Sequence, residues 1–119
     1  MKYNWTTIMV KDIEASIAFY RDIVGLPINR RFQAGPSGEI VFLGEGETQV
    51  ELIARPGDTS VAGNAISLGF AVDSLDDTMR FLAEQGIALE SGPIQPNDHI
   101  RFIFVLDPDG VRIQFSQTM

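Results

Sequence analysis

The pattern of apolar and polar positions divides the chain into two segments, of which the first predicts a strand, a helix and three more strands. The helix is expected to begin at Asp12, whose side chain can accept a backbone N–H, and to end at Gly25, where a left-handed turn is allowed. Short runs of β-branched and aromatic residues are typical of strands. Such runs predict strands at residues 3–10, 28–32, 39–43 and 48–53.

The second segment repeats the order of the first. Ser74 is suited to cap its helix and Gly86 to end it. Asp12 and Ser74 lie 62 residues apart, and so do Phe19 and Phe81. The strands of this segment are predicted at residues 65–72, 87–91, 99–106 and 111–116. The repeat predicts an α+β fold of two tandem βαβββ modules.

Residues 55–64 form the predicted connection, because Gly, Pro and small polar residues interrupt every hydrophobic period there. We expect one domain over residues 1–119, with module one at about 1–57, a linker at about 58–64 and module two at about 65–119. Each module has one helix, which covers one face of its sheet and leaves the other open. Two such faces predict a curved mixed sheet around a cleft, where a small molecule would bind.

Charge and composition exclude several classes of function. Sixteen acidic and nine basic residues give a net charge of −7, a field that repels nucleic acid and anionic membranes. The first residues do not resemble a secretion signal, so a cytoplasmic location is expected. The chain has no cysteine and one histidine, His99, which excludes thiolate chemistry and any site with two imidazoles from one chain. Phosphate-loop and serine-triad motifs are also missing from the sequence.

Five motifs in order along the chain carry a resemblance to a known family. They are Val10–Asp12 followed by Ser16–Leu26 with the pattern S-x-x-F-Y-x-x-x-x-G-L, Val50–Leu52, Phe70–Asp73, the Asp-Pro-Asp-Gly sequence 107–110, and Ile113–Phe115. Together they resemble the vicinal oxygen chelate superfamily, which includes glyoxalase I, bleomycin- and fosfomycin-resistance proteins and extradiol dioxygenases. The resemblance covers essentially the whole chain and implies the same glyoxalase-like fold. Asp107 and Asp109 are interpreted as turn residues and not as catalytic acids.

The resemblance also implies where a metal ion would be bound, with one ligand from each of four strands. The corresponding positions in this sequence are Trp5, Glu51, Ser67 and Gln114. Only Glu51 is a strong metal ligand. The indole of Trp5 offers no electron pair to a metal ion, and the hydroxyl of Ser67 and the amide of Gln114 are weak neutral ligands. We therefore expect neither a bound metal nor another cofactor.

Strand parity predicts which side chains point to the open faces of the sheets. The candidate ligand-binding residues are Trp5, Thr7, Gln49, Glu51, Ser67, Arg112 and Gln114. Met9 and Phe42 are assigned to either the core or the cleft. His99 is interpreted as a solvated surface residue, with contact to the cleft as the alternative.

Two of these candidates allow several interpretations. Glu51 can contact a ligand, form a structural pair with Arg112 or Arg101, or act as a general base. Trp5 can stack on an aromatic or cationic guest, or pack against the opposite module and fill the centre. The acidic surface and Glu51 favour a neutral or cationic guest over a polyanion.

The function expected from the resemblance is binding of a small organic molecule without chemistry, as in the bleomycin-resistance branch. The alternatives are a metal-dependent lyase or dioxygenase of the same superfamily, and a metal-free enzyme that uses Glu51 as its base. Superfamily members often dimerise, and open sheet edges favour pairing with a second copy, so a homodimer is also expected.

Overall fold

The computed structural model describes residues 3–46, 48–61, 63 and 66–119 of the chain. It contains two units, Met1–Val61 and Ala62–Met119. Each unit has one principal helix and a four-stranded mixed sheet, in the order βαβββ. The predicted α+β class with two tandem βαβββ modules is therefore confirmed. No helix in the described part of the chain is long and apolar enough to cross a bilayer.

The first unit contains four strands in the spatial order β1-β4-β3-β2. Strands β1 and β4 are parallel, whereas β3 is antiparallel to both β2 and β4. The elements are β1 (Trp5–Met9), α1 (Ile13–Ala18), β2 (Ile28–Gln33), a short 3-10 turn (Gly35–Ser37), β3 (Glu39–Leu43) and β4 (Gln49–Ala54).

Helix α1 begins as predicted, because Oδ1 of Asp12 accepts a hydrogen bond from the backbone N–H of Ala15 at 3.1 Å. Its continuation differs from the predicted regular helix, since Phe19–Ile23 form a π-helical turn. The N–H of Val24 donates to the carbonyl of Phe19 at 3.1 Å across this wider turn. Apolar spacings of three and four residues fit both kinds of helix, so the sequence pattern could not show the change.

One face of the first sheet packs under α1, which contacts β4. Ile8 and Val10 are buried, as parity predicted for side chains beneath the helix. Tyr20 is fully buried. The other buried apolar side chains of this unit are Ile17, Phe19, Val41, Phe42, Leu43, Val50 and Leu52. With the exception of Phe42, which lies on the opposite face, they form the core between sheet and helix.

The second unit has the corresponding strand order β5-β8-β7-β6, with β5 and β8 parallel. Ser74 caps its helix by accepting from the backbone N–H of Asp77 at 3.1 Å, as predicted. Leu75 and Leu82 are the buried residues of this helix. The elements are β5 (Ser67–Ala71), α2 (Leu75–Glu84), β6 (Ser91–Asn97), β7 (Ile100–Leu106) and β8 (Arg112–Thr118). Ala65, the first residue of the strand predicted at 65–72, lies outside the described residues.

The strand predicted at 87–91 is wrong, because β6 covers Ser91–Asn97. This strand contains Pro93 and Pro96, which lack the backbone N–H that a central strand requires. It is the last strand in the order of the second sheet and pairs with β7, in a register that shifts twice. An edge position tolerates prolines, and the amino-acid sequence does not show which strand will lie at the edge.

The Asp-Pro-Asp-Gly sequence forms the predicted turn between β7 and β8. Oδ1 of Asp107 accepts from the backbone N–H groups of Asp109 at 2.8 Å and Val111 at 2.9 Å. Gly110 has a φ of +86°, which a residue with a side chain rarely adopts. In the predicted connection, residues 55–61 and 63 form no helix or strand, and Ala62 and Asn64 lie outside the described residues.

Candidate functional site

The first unit presents an open face, on the side of its sheet away from α1, that holds four of the candidate residues. Trp5 lies opposite Gln49, and Thr7 lies opposite Glu51, across the parallel pair β1 and β4. Directly opposed strand residues point to the same side of a sheet. The open face is defined by Trp5, Thr7, Gln49, Glu51, Phe42, Arg30 and Phe32.

Three aromatic rings lie together on the open face. The ring centroids of Trp5 and Phe42 are 5.2 Å apart in an edge-to-face arrangement, and those of Phe32 and Phe42 are 6.5 Å apart with nearly parallel planes. Phe42 is 3% exposed, whereas Trp5 is 44% and Phe32 40% exposed. Phe42 is therefore the buried ring on which the other two pack, and Trp5 and Phe32 expose ring surface that a ligand could contact.

A guanidinium group completes this cluster. The central guanidinium carbon of Arg30 lies 4.6 Å from the ring centroid of Phe42 and 5.6 Å from that of Phe32. Sequence reasoning did not single out Arg30 or Phe32 as site residues. Their parity relative to Phe42 across the β2–β3 hairpin was the signal available, because Arg30 lies directly opposite Phe42.

Glu51 is held by a neighbouring side chain on the same face. The hydroxyl of Thr7 donates to its Oε1 at 2.5 Å, and Glu51 is only 9% exposed. Trp5 on β1 contacts Phe42 on β3, so its indole crosses over β4, the strand that carries Glu51. A carboxylate at this depth needs hydrogen-bond donors, and Thr7 supplies one.

The two arginines considered as partners of Glu51 form ion pairs inside the second unit. Arg112 approaches Glu90 at 3.1 Å, and Arg101 approaches Asp76 at 3.4 Å. Within the first unit, the described partner of Glu51 is the Thr7 hydroxyl, and a pairing of Glu51 with either arginine stays a prediction.

The other three candidates share one face of the second sheet. Ser67 lies opposite Arg112, and Gly69 lies opposite Gln114. A Cβ atom at Gly69 would lie 3.3 Å from Oε1 of Gln114, so the missing side chain leaves room for this amide. The guanidinium carbon of Arg112 lies 4.0 Å from the ring centroid of Phe104.

His99 lies in the turn between β6 and β7 and is exposed, as the surface interpretation predicted. Its backbone N–H donates to Oδ1 of Asn97 at 2.7 Å, which shapes the turn.

The donors at the positions where the superfamily binds a metal ion do not fit such an ion. Trp5 has no lone pair to donate, and beside it Glu51 is the one strong ligand on the first face. Ser67 and Gln114 are neutral oxygen donors. Within the described ranges no three His, Cys, Asp or Glu side chains lie together as a metal-binding group.

Comparison with known proteins agrees with this fold. A family model described as the Glyoxalase/Bleomycin resistance protein/Dioxygenase superfamily matches residues 2–115. The chain belongs to this superfamily. It is 32% identical to a probable lactoylglutathione lyase of Synechocystis, over 95% of this chain and 92% of the relative. It is 30% identical to the lactoylglutathione lyase of Salmonella typhimurium, over 98% and 93% of the two chains.

Solved structures show the same fold. TnmS3, described as an antibiotic binding protein from a Streptomyces species, is 25% identical with a TM-score of 0.78, over 100% of this chain and 97% of that chain. A superfamily member from Sphaerobacter thermophilus is 23% identical with a TM-score of 0.81, over 98% and 97%. The predicted family and fold are therefore confirmed.

Proposed function

We propose that the protein binds a small, flat organic molecule on the open face of the first unit, without a metal ion. The observation that carries this proposal is the pair of exposed rings, Trp5 and Phe32, set on the buried ring of Phe42. Aromatic rings on a fixed base offer a guest large apolar contact at little conformational cost. The antibiotic-binding relative TnmS3 gives the family a precedent for binding.

The polar groups beside the rings would orient the bound molecule. Glu51 is fixed by Thr7 and accepts more than one hydrogen bond, so a hydroxyl or amine of the guest finds an acceptor there. Sites of this kind combine mostly apolar contact with a few placed polar groups. The proposed ligand-binding residues are Trp5, Thr7, Gln49 and Glu51 on the first unit, and Ser67, Arg112 and Gln114 on the second.

Trp5 allows a direct test, because it is the only tryptophan and gives a single indole N–H signal in a nitrogen-15 NMR spectrum. The probe is 2-naphthalenemethanol, a neutral flat aromatic, and its Kd is measured by calorimetry. We expect the probe to shift the indole signal, and Trp5→Leu to weaken binding about tenfold through lost stacking, which corresponds to about 1.4 kcal/mol.

Phe81→Leu is the matched control, since Phe81 is an exposed aromatic residue on α2 and is not one of the residues that define the open face. It should leave the Kd unchanged. Binding that leaves the indole signal in place, or that both variants weaken equally, would put the site elsewhere and contradict the proposal.

A catalytic function is the second candidate, because two of the compared relatives are named lactoylglutathione lyases. Glu51 is then either a metal ligand or the general base. The test is lactoylglutathione lyase activity with and without added Zn²⁺, Ni²⁺ or Mn²⁺. If the protein turns the substrate over and Glu51→Gln abolishes this activity, the protein is an enzyme that depends on Glu51. If the activity also requires added metal, the reaction is metal-dependent.

We also propose a homodimer. Strand β2 is an edge strand whose six residues are all exposed, and such an edge presents unpaired backbone groups to a second copy. Light scattering should give about twice the 13.1 kDa of one chain at micromolar concentration. A mass of one chain would refute the dimer. The cytoplasmic location and the lack of nucleic-acid and membrane partners stay predictions from the sequence.

A further inference from the structure

Each unit carries an arginine whose guanidinium lies on a phenylalanine ring, and the two differ in their partners. Arg112, over Phe104, also forms an ion pair with Glu90 at 3.1 Å. Arg30, over Phe42, forms no ion pair with any carboxylate in the part of the chain that the structure describes. The positive charge of Arg112 is therefore paired, whereas none of the carboxylates that the structure describes forms an ion pair with Arg30.

The neighbouring residue on the same strand shows that this difference comes from the orientation of the side chain. Arg31 points to the helix side of the first sheet, where it pairs with Glu39 and with Glu14 of α1. The hydrogen bonds to Glu39 and Glu14 hold the pKa of Arg31 above its ordinary value. Arg30 points to the other side and meets aromatic rings instead.

The guanidinium of Arg30 carries five N–H donors in one plane. These donors form a fork that matches the two oxygens of a carboxylate. On the open face the fork lies beside the exposed ring of Phe32. An aromatic guest on these rings therefore brings its substituents within reach of Arg30.

We infer that the guest of the open face is an aromatic compound with one anionic group, a carboxylate or its equivalent, which Arg30 receives. The inference rests on the proposed function and names the chemical class of its ligand. It replaces the neutral or cationic guest expected from the sequence, since that expectation considered Glu51 and the acidic surface without Arg30.

A single negative charge is compatible with the rest of the face. Glu51 and Arg30 lie on strands separated by β3, because Phe42 is opposite both of them. Two strand spacings put their backbones about 10 Å apart, and a carboxylate that is hydrogen-bonded to Arg30 lies much closer than that to the positive charge. The net charge of −7 still opposes a guest with several negative charges.

The test compares two probes with the same ring, 2-naphthoate and the neutral 2-naphthalenemethanol, by calorimetry. We expect the unmodified protein to bind 2-naphthoate about tenfold more tightly, as one charge-assisted contact provides. Arg30→Gln should remove this preference, so that the two probes bind to the variant with Kd values within about threefold of each other. Arg30→Lys should keep part of the preference, because it keeps the charge without the planar fork.

Arg21→Gln is the matched control, since it removes the same charge from an exposed site where Arg21 pairs with Asp22. It should leave both Kd values unchanged. Equal binding of the two probes, or an equal loss in the Arg21 and Arg30 variants, would overturn the inference and leave the proposed function standing. Failure of both probes to bind would overturn the two together.

Discussion

The hydroxyl of Thr7 donates a hydrogen bond of 2.5 Å to Oε1 of Glu51, between residues that are 44 positions apart in the chain. It joins the first and last strands of the first unit, which run parallel as neighbours. Glu51 is nearly buried there, so the bond both holds two strands together and solvates a carboxylate. Glu51, the central residue of the candidate site, is thus also tied to the packing of β1 against β4.

Replacement of Thr7 by valine should lower the free energy of unfolding by about 1–3 kcal/mol, because a nearly buried carboxylate then loses a donor. Thr7→Ser keeps the hydroxyl and should cost less than Thr7→Val. Urea unfolding measures both values. Equal stability of the serine and valine variants would show that the hydroxyl contributes nothing.

Strand parity alone places four candidates of the first unit on one side of its sheet, because side chains alternate along a strand. They are Trp5, Thr7, Gln49 and Glu51. The same reasoning missed Arg30. Arg30 and Arg31 are adjacent and identical in type, and only the register of β2 against β3 tells which faces the helix. A register irregularity between Ile28 and Arg30 interrupts the alternation at that point.

The order of elements was predictable for a different reason. The side chains of Asp12, Ser74 and Asp107 accept hydrogen bonds from backbone N–H groups two to four residues away. The caps and the turn can therefore be predicted from the local sequence. Strand β6 depends on its position at the edge of a sheet, which is a relationship between distant segments. Pro93 and Pro96 disfavour a strand, and pairing with β7 overrides that preference.

Asp58 should titrate below its ordinary pKa of 3.8, because hydrogen bonds from the side chain and backbone of Ser60 stabilise its charged form. A lowered pKa gives stabilisation that is present above 3.8 and is lost as the pH falls through the pKa of the folded state. Ser60→Ala should raise the pKa of Asp58 towards 3.8 in a carbon-13 NMR titration. Thr59→Ala, the neighbouring control, should not; an equal rise in both variants would refute this cause.

Asp107 should prove structural and not catalytic. Asp107→Ala leaves the backbone N–H groups of Asp109 and Val111 without their acceptor and should destabilise the fold by about 2 kcal/mol or more. Asp107→Asn keeps an acceptor oxygen and should cost less than about 1 kcal/mol. Both variants should bind 2-naphthalenemethanol with unchanged Kd once folded. A weakened Kd in the stable Asp107→Asn variant would give this carboxylate a role in binding.

The metal content of the purified protein distinguishes the proposed metal-free binding from a metal-dependent reaction. Beside Trp5, the open face of the first unit offers Glu51 as its strong metal ligand, and divalent ions of this superfamily need several imidazole or carboxylate donors. Protein purified without chelator or metal-affinity resin should therefore contain far less than one Zn, Ni, Mn or Fe per chain, and Glu51→Ala should not change the content. Trp5→His adds an imidazole on the same face and should raise the affinity for Zn²⁺ in a calorimetric titration. Nearly one equivalent of metal ion in the unmodified protein, lost in Glu51→Ala, would contradict the metal-free proposal. Glu51 would then be a metal ligand, and the other ligands would come from positions other than those that the superfamily uses.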